Sequence, residues 1–447
     1  MRMFEKLKTA FLFILVLNSL LLSSVLWFKQ TGIIEGGSFK NNNENIQIGK
    51  VLQLPDLLQP TKVLFHHGNG QHTCALPESA VYQSVKKDIS HWNFTKFSLV
   101  QFTNEQWTEL VNHKKGMEVQ LPLSTSVELL PSLFSAVGLS NYVNEISRIW
   151  IYVNAQTNTT NALFLSDKEK RVVLASSNIT LTNLNKYYFS FEKDWNLPSY
   201  HAIERVTEKR VNKVYKEITY IPRDQQELSS YKYFFIPITP QQGVKFLFGD
   251  PGVTHQVVEK DGTLYYTDGM RVLKIPNSLR YFDYFAPAPI NDENSPLDEL
   301  AILQEIVSFI NDHGGFGGDY ELEKREQNNY VFRERVGSFP LYGETGTHQI
   351  YIRSDFGKIT AFKRPLFYLD TYFEKVPVTI QSSSELMETL KKENLDKKLA
   401  GVELGYQTLI HNDYMEMVPV WVIRQEESSF PVLIPASVPP NGIEGGK

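Results

Sequence analysis

An apolar stretch near the start of the chain, Ala10–Phe28, contains no charged residue. As an α-helix rising about 1.5 Å per residue, it would extend roughly 28 Å, close to the hydrocarbon thickness of a bilayer. Basic and aromatic side chains, which favour the membrane interface, flank it. These predicted interface anchors are Arg2, Lys6, Lys8, Trp27 and Lys29. The pattern predicts a transmembrane helix at 10–28, a cytoplasmic tail at 1–9 and an extracytoplasmic remainder.

A cleaved secretory signal is the alternative interpretation of this stretch. Signal cores usually contain about 7–15 apolar residues and end at a small-x-small cleavage site. The stretch here is longer, and Leu26–Gln30 contains no such site. A retained anchor is therefore favoured.

Three polar side chains interrupt the apolar stretch: Asn18, Ser19 and Ser23. Polar and small side chains inside a membrane helix often contact another helix, where a hydrogen bond is worth about 0.6 kcal/mol. The alternative is that the serines bond to their own helix and Asn18 is tolerated in lipid. We expect these three residues to form a packing seam for a partner helix.

The pattern changes twice between residues 29 and 143. Residues 29–50 are rich in Gly and Asn and predict a flexible tether, with a mean reach of about 25 Å for a coil. From 51 to 143, apolar residues recur mainly at helical spacing, as at Val81, Val85 and Ile89. A mostly helical N-terminal ectodomain is predicted there. Its helices are expected at 78–89, 104–115 and 126–134, with a short extended run at 117–123.

From residue 144 the apolar residues alternate as they do in strands, which predicts a central α+β domain at 144–290. Its clearest element is a three-stranded antiparallel meander. Asp261–Gly262 and Asp268–Gly269 separate the three strands, and Asp-Gly provides the positive φ angles of a tight hairpin. Strands are expected at 148–153, 162–165, 171–175, 211–221, 231–238, 253–259, 263–267 and 271–275, and a short helix at 241–248.

A C-terminal α+β domain is predicted at 291–427, after a proline-rich boundary. Ser295 is expected to cap a helix that ends at His313–Gly315, and Ser382–Glu385 forms a capping box for a second helix. Strands are expected at 330–336, 348–353, 358–362, 400–409 and 415–424, with a loop of four to five residues around 355–357. Residues 428–447 are predicted to be a loose tail. The predicted fold class is thus α+β, with a transmembrane helix, a helical N-terminal ectodomain and two related antiparallel-sheet domains.

The composition limits the classes of function. The 447 residues are 42% hydrophobic and 13% aromatic, which favours a folded ectodomain. The net charge is −5, and residues 1–9 contribute +2, so the acidic remainder is a poor candidate for binding nucleic acid. Cys74 is the single cysteine, so an intramolecular disulfide is impossible. A large extracytoplasmic chain without disulfides is typical of a Gram-positive surface.

No catalytic or cofactor-binding motif stands out along the chain. His66, His67 and His72 crowd around glycines, but their spacing matches no metal motif. The glycine-rich segment 312–319 lacks the Lys-Ser/Thr of a phosphate loop, and Arg364–Pro365 is interpreted as a structural corner. We therefore predict no catalytic residues, metal site or cofactor.

The order of several motifs, together with the N-terminal anchor, resembles the YycH family, membrane-anchored regulators of the WalK (YycG) sensor kinase in Gram-positive bacteria. The motifs are FLFGDPGVTHQVVEKDGTLYYTDGMRVL at Phe246–Leu273, FINDHGGF at Phe309–Phe316, FPLYG at Phe339–Gly343, KRPLF at Lys363–Phe367, GVELGY at Gly401–Tyr406 and VPVWV at Val418–Val422. The resemblance is weakest over residues 29–115 and after residue 424. It implies three outer domains, no catalytic residues, and partnership with WalK and with YycI, a second single-span protein.

Two hypotheses of function from different classes follow. The resemblance implies a non-enzymatic, single-pass membrane protein that modulates the WalK/WalR two-component system of cell-wall homeostasis. It would act together with YycI through transmembrane-helix contacts. The alternative is an extracytoplasmic binding protein or enzyme that acts on cell-wall material, which requires a cleft with converging polar groups.

Overall fold

The computed structural model describes residues 49–154, 159–186, 197–248, 250–288, 298–426, 428 and 430–438, together with 15, 16 and 19. The chain divides into two compact units, Met1–Asn45 and Ile46–Lys447. In the first unit, the three described residues are helical. All other elements belong to the second unit.

The first half of this unit is a sheet. Its strands are β1 (Lys62–Gly68), β2 (Gln71–Ala75), β3 (Phe94–Val100), β4 (Gly116–Ser126), β5 (Glu145–Asn154), β6 (Thr159–Ser166), β7 (Arg171–Ser177), β8 (Ser199–Arg210) and β9 (Lys213–Pro222). Within the described residues they pair antiparallel in the order β3-β7-β6-β5-β4-β1-β2-β8-β9. Strand β1 pairs with β4 on one edge and β2 on the other, and five of its seven residues are buried.

Helices cover this sheet on opposite faces. They are α1 (Leu54–Leu57), α2 (Ala80–Ile89) and α3 (Asn104–Asn112). Helix α2 begins at Ser79, whose side chain accepts a hydrogen bond from the Tyr82 amide, and it packs its apolar side against one sheet face. Helix α3 begins with a capping box between Thr103 and Gln106 and packs Trp107 against the other face.

The prediction of a mostly helical domain at 51–143 is wrong. The helices expected at 78–89 and 104–115 are present as α2 and α3, and the one expected at 126–134 is a 3-10 helix at Val127–Ser132. Strands β1 to β4 lie in the same segment, and β4 contains the extended run expected at 117–123. Strand β1 was missed because its short apolar run, KVLFHHG, is buried on both faces and shows no alternation.

The second half of the unit forms a larger sheet. Its strands are β10 (Gln226–Pro237), β11 (His255–Val258), β12 (Leu264–Thr267), β13 (Val272–Ile275), β14 (Tyr281–Phe285), β15 (Asp319–Glu326), β16 (Asn329–Val336), β17 (Phe339–Tyr342), β18 (Gln349–Asp355), β19 (Lys358–Pro365), β20 (Phe367–Ile380), β21 (Leu399–Ile410), β22 (Tyr414–Gln425) and β23 (Val432–Pro435). In the described part of the chain, the order is β11-β12-β13-β14-β19-β18-β16-β17-β21-β22-β10-β20, with β15 beside β16 and β23 beside β22. The β17–β21 pair is parallel.

Three helices accompany this sheet: α4 (Pro240–Leu247), α5 (Glu299–Asp312) and α6 (Ser383–Lys392). The capping box of α6 at Ser382 and Glu385 is confirmed. The N-cap predicted for α5 is wrong, because Asp298 rather than Ser295 fills it and accepts a 2.6 Å hydrogen bond from the Ala301 amide. Residues 289–297 lie outside the described residues.

The predicted meander is confirmed as β11 to β13, and Gly262 and Gly269 have the expected positive φ angles of 85° and 91°. Strand β14 extends it by a fourth strand. The loop predicted around 355–357 is shorter than expected, because Asp355 pairs directly with Lys358. A two-residue turn therefore joins β18 and β19.

The loose tail predicted at 428–447 is wrong for Val432–Pro435, since β23 pairs with β22. Residues 439–447 lie outside the described part of the chain. The first sheet contains strands from both sides of residue 143. The predicted domain boundaries stay predictions.

Candidate functional site

The predicted packing seam and interface anchors fall almost wholly outside the described residues. Of the seam, only Ser19 is described, and it is helical. The residues that lie outside are Arg2, Lys6, Lys8, Asn18, Ser23, Trp27 and Lys29. Among the residues that the structure does describe, no helix has both the length and the apolar character needed to cross a bilayer. The seam and its anchors stay predictions.

A dense cluster of buried polar side chains lies on the α3 face of the first sheet. We call it the Glu118 network; its members are His66, His72, Glu118, Arg148, Asp167 and Tyr220. Side chains of a strand alternate between faces, and directly paired residues share a face. Strand register pairs His66 with His72 and Glu118 with Trp150. Register thus brings together residues that are far apart in sequence.

The Glu118 carboxylate is the centre of this network. It accepts hydrogen bonds from Tyr220 Oη at 3.0 Å and from Gln120 Nε2 at 2.8 Å. Arg148 Nη1 lies 3.7 Å from Glu118 Oε1, and its Nη2 contacts Asp167 Oδ1 at 2.7 Å. The carboxylate is 0% exposed and Arg148 is 3% exposed. The guanidinium therefore balances a carboxylate that water does not reach.

Two histidines complete the network beside this ion pair. Nδ1 of His66 lies 2.8 Å from Nδ1 of His72, so one ring donates and the other accepts. His66 Nε2 is 3.3 Å from Glu118 Oε2, and its ring stacks on Trp150 with centroids 3.9 Å apart. A donor–acceptor pair of this kind requires at least one neutral ring.

Burial shifts the protonation of these groups. It lowers the pKa of His66, and it lowers the pKa of His72 to about 3. Burial alone would raise the pKa of Glu118, but the hydrogen bond from His66 and the charge of Arg148 outweigh it and hold the pKa at about 2. Near neutral pH the network therefore contains neutral imidazoles and an ionised carboxylate.

A further buried histidine lies beside the strands of the larger sheet. His348 Nδ1 is 2.9 Å from Glu334 Oε2, and its Nε2 is 2.8 Å from Thr408 Oγ1. This order of hydroxyl, imidazole and carboxylate is that of a hydrolytic triad. However, the Thr408 hydroxyl is also 3.2 Å from the Tyr342 carbonyl, and the three residues are at most 4% exposed. The hydroxyl has no free approach for a substrate, and the arrangement joins β16 and β21 through His348, which immediately precedes β18.

A small cavity lies between the two sheets. Its volume is about 70 Å³, and Lys62, Tyr220, Glu321, Arg335 and Trp421 are among its lining residues. Pockets for small molecules usually measure about 300–1,000 Å³. This cavity is large enough for a few water molecules.

The sequence pattern indicated only some of the residues that form these buried groups. Of the network members, His66 and His72 stood out by their crowding, whereas Glu118, Arg148 and Tyr220 gave no local signal because register alone brings them together. No group of three or more His, Cys, Asp or Glu with metal-binding geometry occurs among the described residues. Cys74 is buried, and burial raises the pKa of its thiol to about 12.

Comparison with known proteins identifies the family of this chain. Residues 5–193 match the family described as YycH protein, N-terminal domain, and residues 216–433 match YycH protein, C-terminal domain. The chain belongs to the YycH family. A curated YycH-family relative is the "Two-component system WalR/WalK regulatory protein YycH" of Bacillus subtilis (strain 168), 21% identical over 452 aligned residues that cover 96% of each chain.

A solved YycH-family structure has the same fold. The crystal structure of YycH from Bacillus subtilis aligns with a TM-score of 0.68 and 16% identity, covering 86% of this chain and 98% of that chain. The C-terminal domain of YpeB from Bacillus megaterium covers 45% of this chain and 94% of its own, at 14% identity and a TM-score of only 0.26. The YycH alignment therefore supports a fold shared along 86% of this chain.

Proposed function

We propose that this YycH-family protein is a non-enzymatic, single-pass membrane regulator of a WalK-type sensor kinase. Its N-terminus lies in the cytoplasm, its large C-terminal portion lies outside the cell, and it acts together with YycI. The observation that carries the proposal is the Bacillus subtilis relative, which is named a WalR/WalK regulatory protein and aligns over 96% of both chains.

The geometry of the described residues favours a protein that acts by contacting a partner protein. The Glu118 network and the His348 group bring chemically capable side chains together, but all of these side chains except the partly exposed Asp167 are buried. The cavity between the sheets is far below the size of an ordinary ligand pocket. These two groups hold strands together rather than presenting a reactive site.

The proposed mechanism is a shift between two signalling states of the kinase. A regulator that binds one state better by about 1.4 kcal/mol changes their ratio tenfold. Contacts of the Asn18, Ser19 and Ser23 seam, at about 0.6 kcal/mol for each hydrogen bond, sum to this order. Transmembrane-helix contacts of the anchor with WalK and YycI therefore suffice to tune the kinase.

The test is the double variant Asn18→Leu with Ser19→Leu in the full-length protein. We expect it to co-purify more weakly with the kinase and to change WalR-dependent transcription, because both polar contacts are lost. Ser24→Leu is the matched control, since on an ideal helix Ser24 lies away from Ser19 and Ser23. Unchanged co-purification and unchanged transcription in the double variant would contradict the proposal.

A further inference from the structure

The first residues of the continuously described chain are joined to a distant part of the fold. We call Gly49–Leu52 the strap. The Gly49 amide donates to the Gly314 carbonyl at 2.9 Å, and Lys50 and Phe316 exchange two backbone hydrogen bonds of 2.7 and 2.9 Å. These partners follow α5, more than 250 positions later in the sequence. The strap thus forms an isolated antiparallel bridge with the segment between α5 and β15.

One side chain of α5 fastens the other end of the strap. The Leu52 amide donates to Asn311 Oδ1 at 3.2 Å, and Asn311 Nδ2 donates to the Leu52 carbonyl at 2.8 Å. A single amide therefore satisfies both backbone groups of Leu52. Immediately afterwards, Leu54 and Leu57 of α1 are buried in the core. The strap is held by backbone pairing and by the packing that follows it.

The strap packs so closely against the segment after α5 that a side chain at Gly49 would clash with it. A Cβ atom at Gly49 would lie 2.1 Å from the carbonyl oxygen of Phe316, which real atoms do not allow. At Gly314, where φ is +102°, a Cβ would lie 3.0 Å from Arg364 Nη1 and 3.2 Å from the Phe246 ring. Glycine is needed at both positions, and any side chain at Gly49 would force the strap away.

The partner of the strap is a rigid corner of the larger sheet. Phe316 is 0% exposed and packs against Tyr320 and Phe332. Arg364, which is 2% exposed, donates from Nη1 to the carbonyl of His313 at 3.1 Å. A cation at the C-terminal end of a helix is favourable because the last carbonyls are negative. A displacement of the strap therefore acts on α5 and β15 rather than on a loose loop.

We propose that the strap is a mechanical coupling, through which tension in the segment that precedes residue 49 reaches the α5–β15 corner. This inference rests on the proposed function, because it assigns the strap to the regulation of the kinase. It places the regulatory connection in the larger sheet, although the first sheet follows the strap directly in sequence. Opening the strap moves the point at which the outer body is attached from the α5–β15 corner to α1, while the anchor helix still binds its partners.

Two variants of the full-length protein test the coupling. Gly49→Ala introduces the clash with Phe316, and Asn311→Ala removes both hydrogen bonds to Leu52. We expect amide hydrogen exchange of Lys50, Leu52 and Phe316 to become at least tenfold faster in each variant. We also expect each variant to co-purify with the kinase as the unmodified protein does, while losing at least half of its effect on WalR-dependent transcription.

Two control variants match these changes. Asn277→Ala is also an Asn-to-Ala change that removes a backbone contact, to the Asp261 carbonyl at 2.7 Å, but it lies in the meander. Lys232→Gln removes only an exposed 3.0 Å ion pair, with Glu374, between β10 and β20. We expect both controls to leave strap exchange within threefold of the unmodified protein and to keep its regulatory effect.

The outcomes separate this inference from the function on which it rests. Faster strap exchange with undiminished regulation would show a passive attachment and would overturn the coupling. Unchanged strap exchange in both variants would also overturn it, since the contacts would then not hold the segment. If the unmodified protein neither co-purifies with the kinase nor affects transcription, the proposed function itself fails, whatever the strap variants do.

Discussion

Each of the two sheets contains a buried histidine group, and the two groups differ in the charge that they enclose. The Glu118 network combines an ionised carboxylate, a guanidinium and two imidazoles. The His348 group combines one imidazole with one carboxylate and one hydroxyl. Apart from the partly exposed Asp167, the side chains of both groups are buried, and both groups join strands. The difference shows that such groups can hold a sheet together with many charges or with few, and their energetic consequences should differ accordingly.

Removing the cation of the charge-rich group should have the largest effect. Arg148→Met leaves Glu118 and Asp167 without their guanidinium, and an uncompensated buried carboxylate costs about 3–5 kcal/mol. Denaturant unfolding of the purified protein measures this loss. Arg148→Met combined with Glu118→Gln should recover part of the stability, because the buried negative charge is then absent. A loss below about 1 kcal/mol in the single variant would contradict a buried ion pair at this position.

Acid should destabilise the protein through the Glu118 network. The pKa of His72 falls from 6.5 to about 3 on folding, so the unfolded chain binds the extra proton and stability is lost as the pH falls from 6.5 towards 3. The slope is about 1.4 kcal/mol per pH unit for each such histidine. The pKa of Glu118, lowered to about 2, adds a loss of the same sign below pH 4.5.

His72→Gln sharpens this test, because glutamine can still donate to His66 but does not titrate. Unfolding free energies measured at pH 7 and pH 5.5 should differ by about 1.4 kcal/mol less in this variant than in the unmodified protein. An identical pH dependence in the two proteins would show that His72 does not titrate as described.

Removing the hydroxyl of the charge-poor group should cost less than removing Arg148. Thr408→Val preserves shape but deprives His348 Nε2 of its 2.8 Å partner, and an unsatisfied buried polar atom costs about 1–3 kcal/mol. Equilibrium unfolding again measures the change. A loss as large as that of Arg148→Met would remove the distinction between the two groups.

An exposed ion pair should have the smallest effect. Lys232 Nζ lies 3.0 Å from Glu374 Oε2, with side chains 31% and 44% exposed. Surface pairs contribute about 0–1 kcal/mol, and salt screens them. Lys232→Gln should therefore change the unfolding free energy by less than about 1 kcal/mol. A larger loss would mean that burial is not what separates strong from weak pairs in this protein.

Local signals predicted the second sheet better than the first. The Asp-Gly turns at 261–262 and 268–269, the capping box at Ser382 and the apolar face of α5 are determined within a few residues, and the structure contains all of them. The first sheet depends on pairs such as His72 with Tyr200, which are 128 positions apart in sequence. Strand β8 and the placement of β1 therefore had no local signature.

The buried polar groups show the same limit. His66 and His72 were noticed because they are close in sequence, but their partners Glu118 and Arg148 come from separate strands. Asn311 and Gly49 were likewise unremarkable until the fold joined residues 49–52 to the end of α5. Register and long-range pairing, rather than residue type, determine these contacts.

The proposed function requires the predicted anchor helix to contact a sensor kinase in the membrane. The most direct measurement is in vivo photocrosslinking from position 18 of the full-length protein, with position 24 as the control and the captured proteins identified by mass spectrometry. We expect a WalK-type kinase and YycI to be captured from position 18 and much less from position 24. A mature protein that begins after residue 28, or position 18 capturing neither of these membrane proteins, would contradict the account.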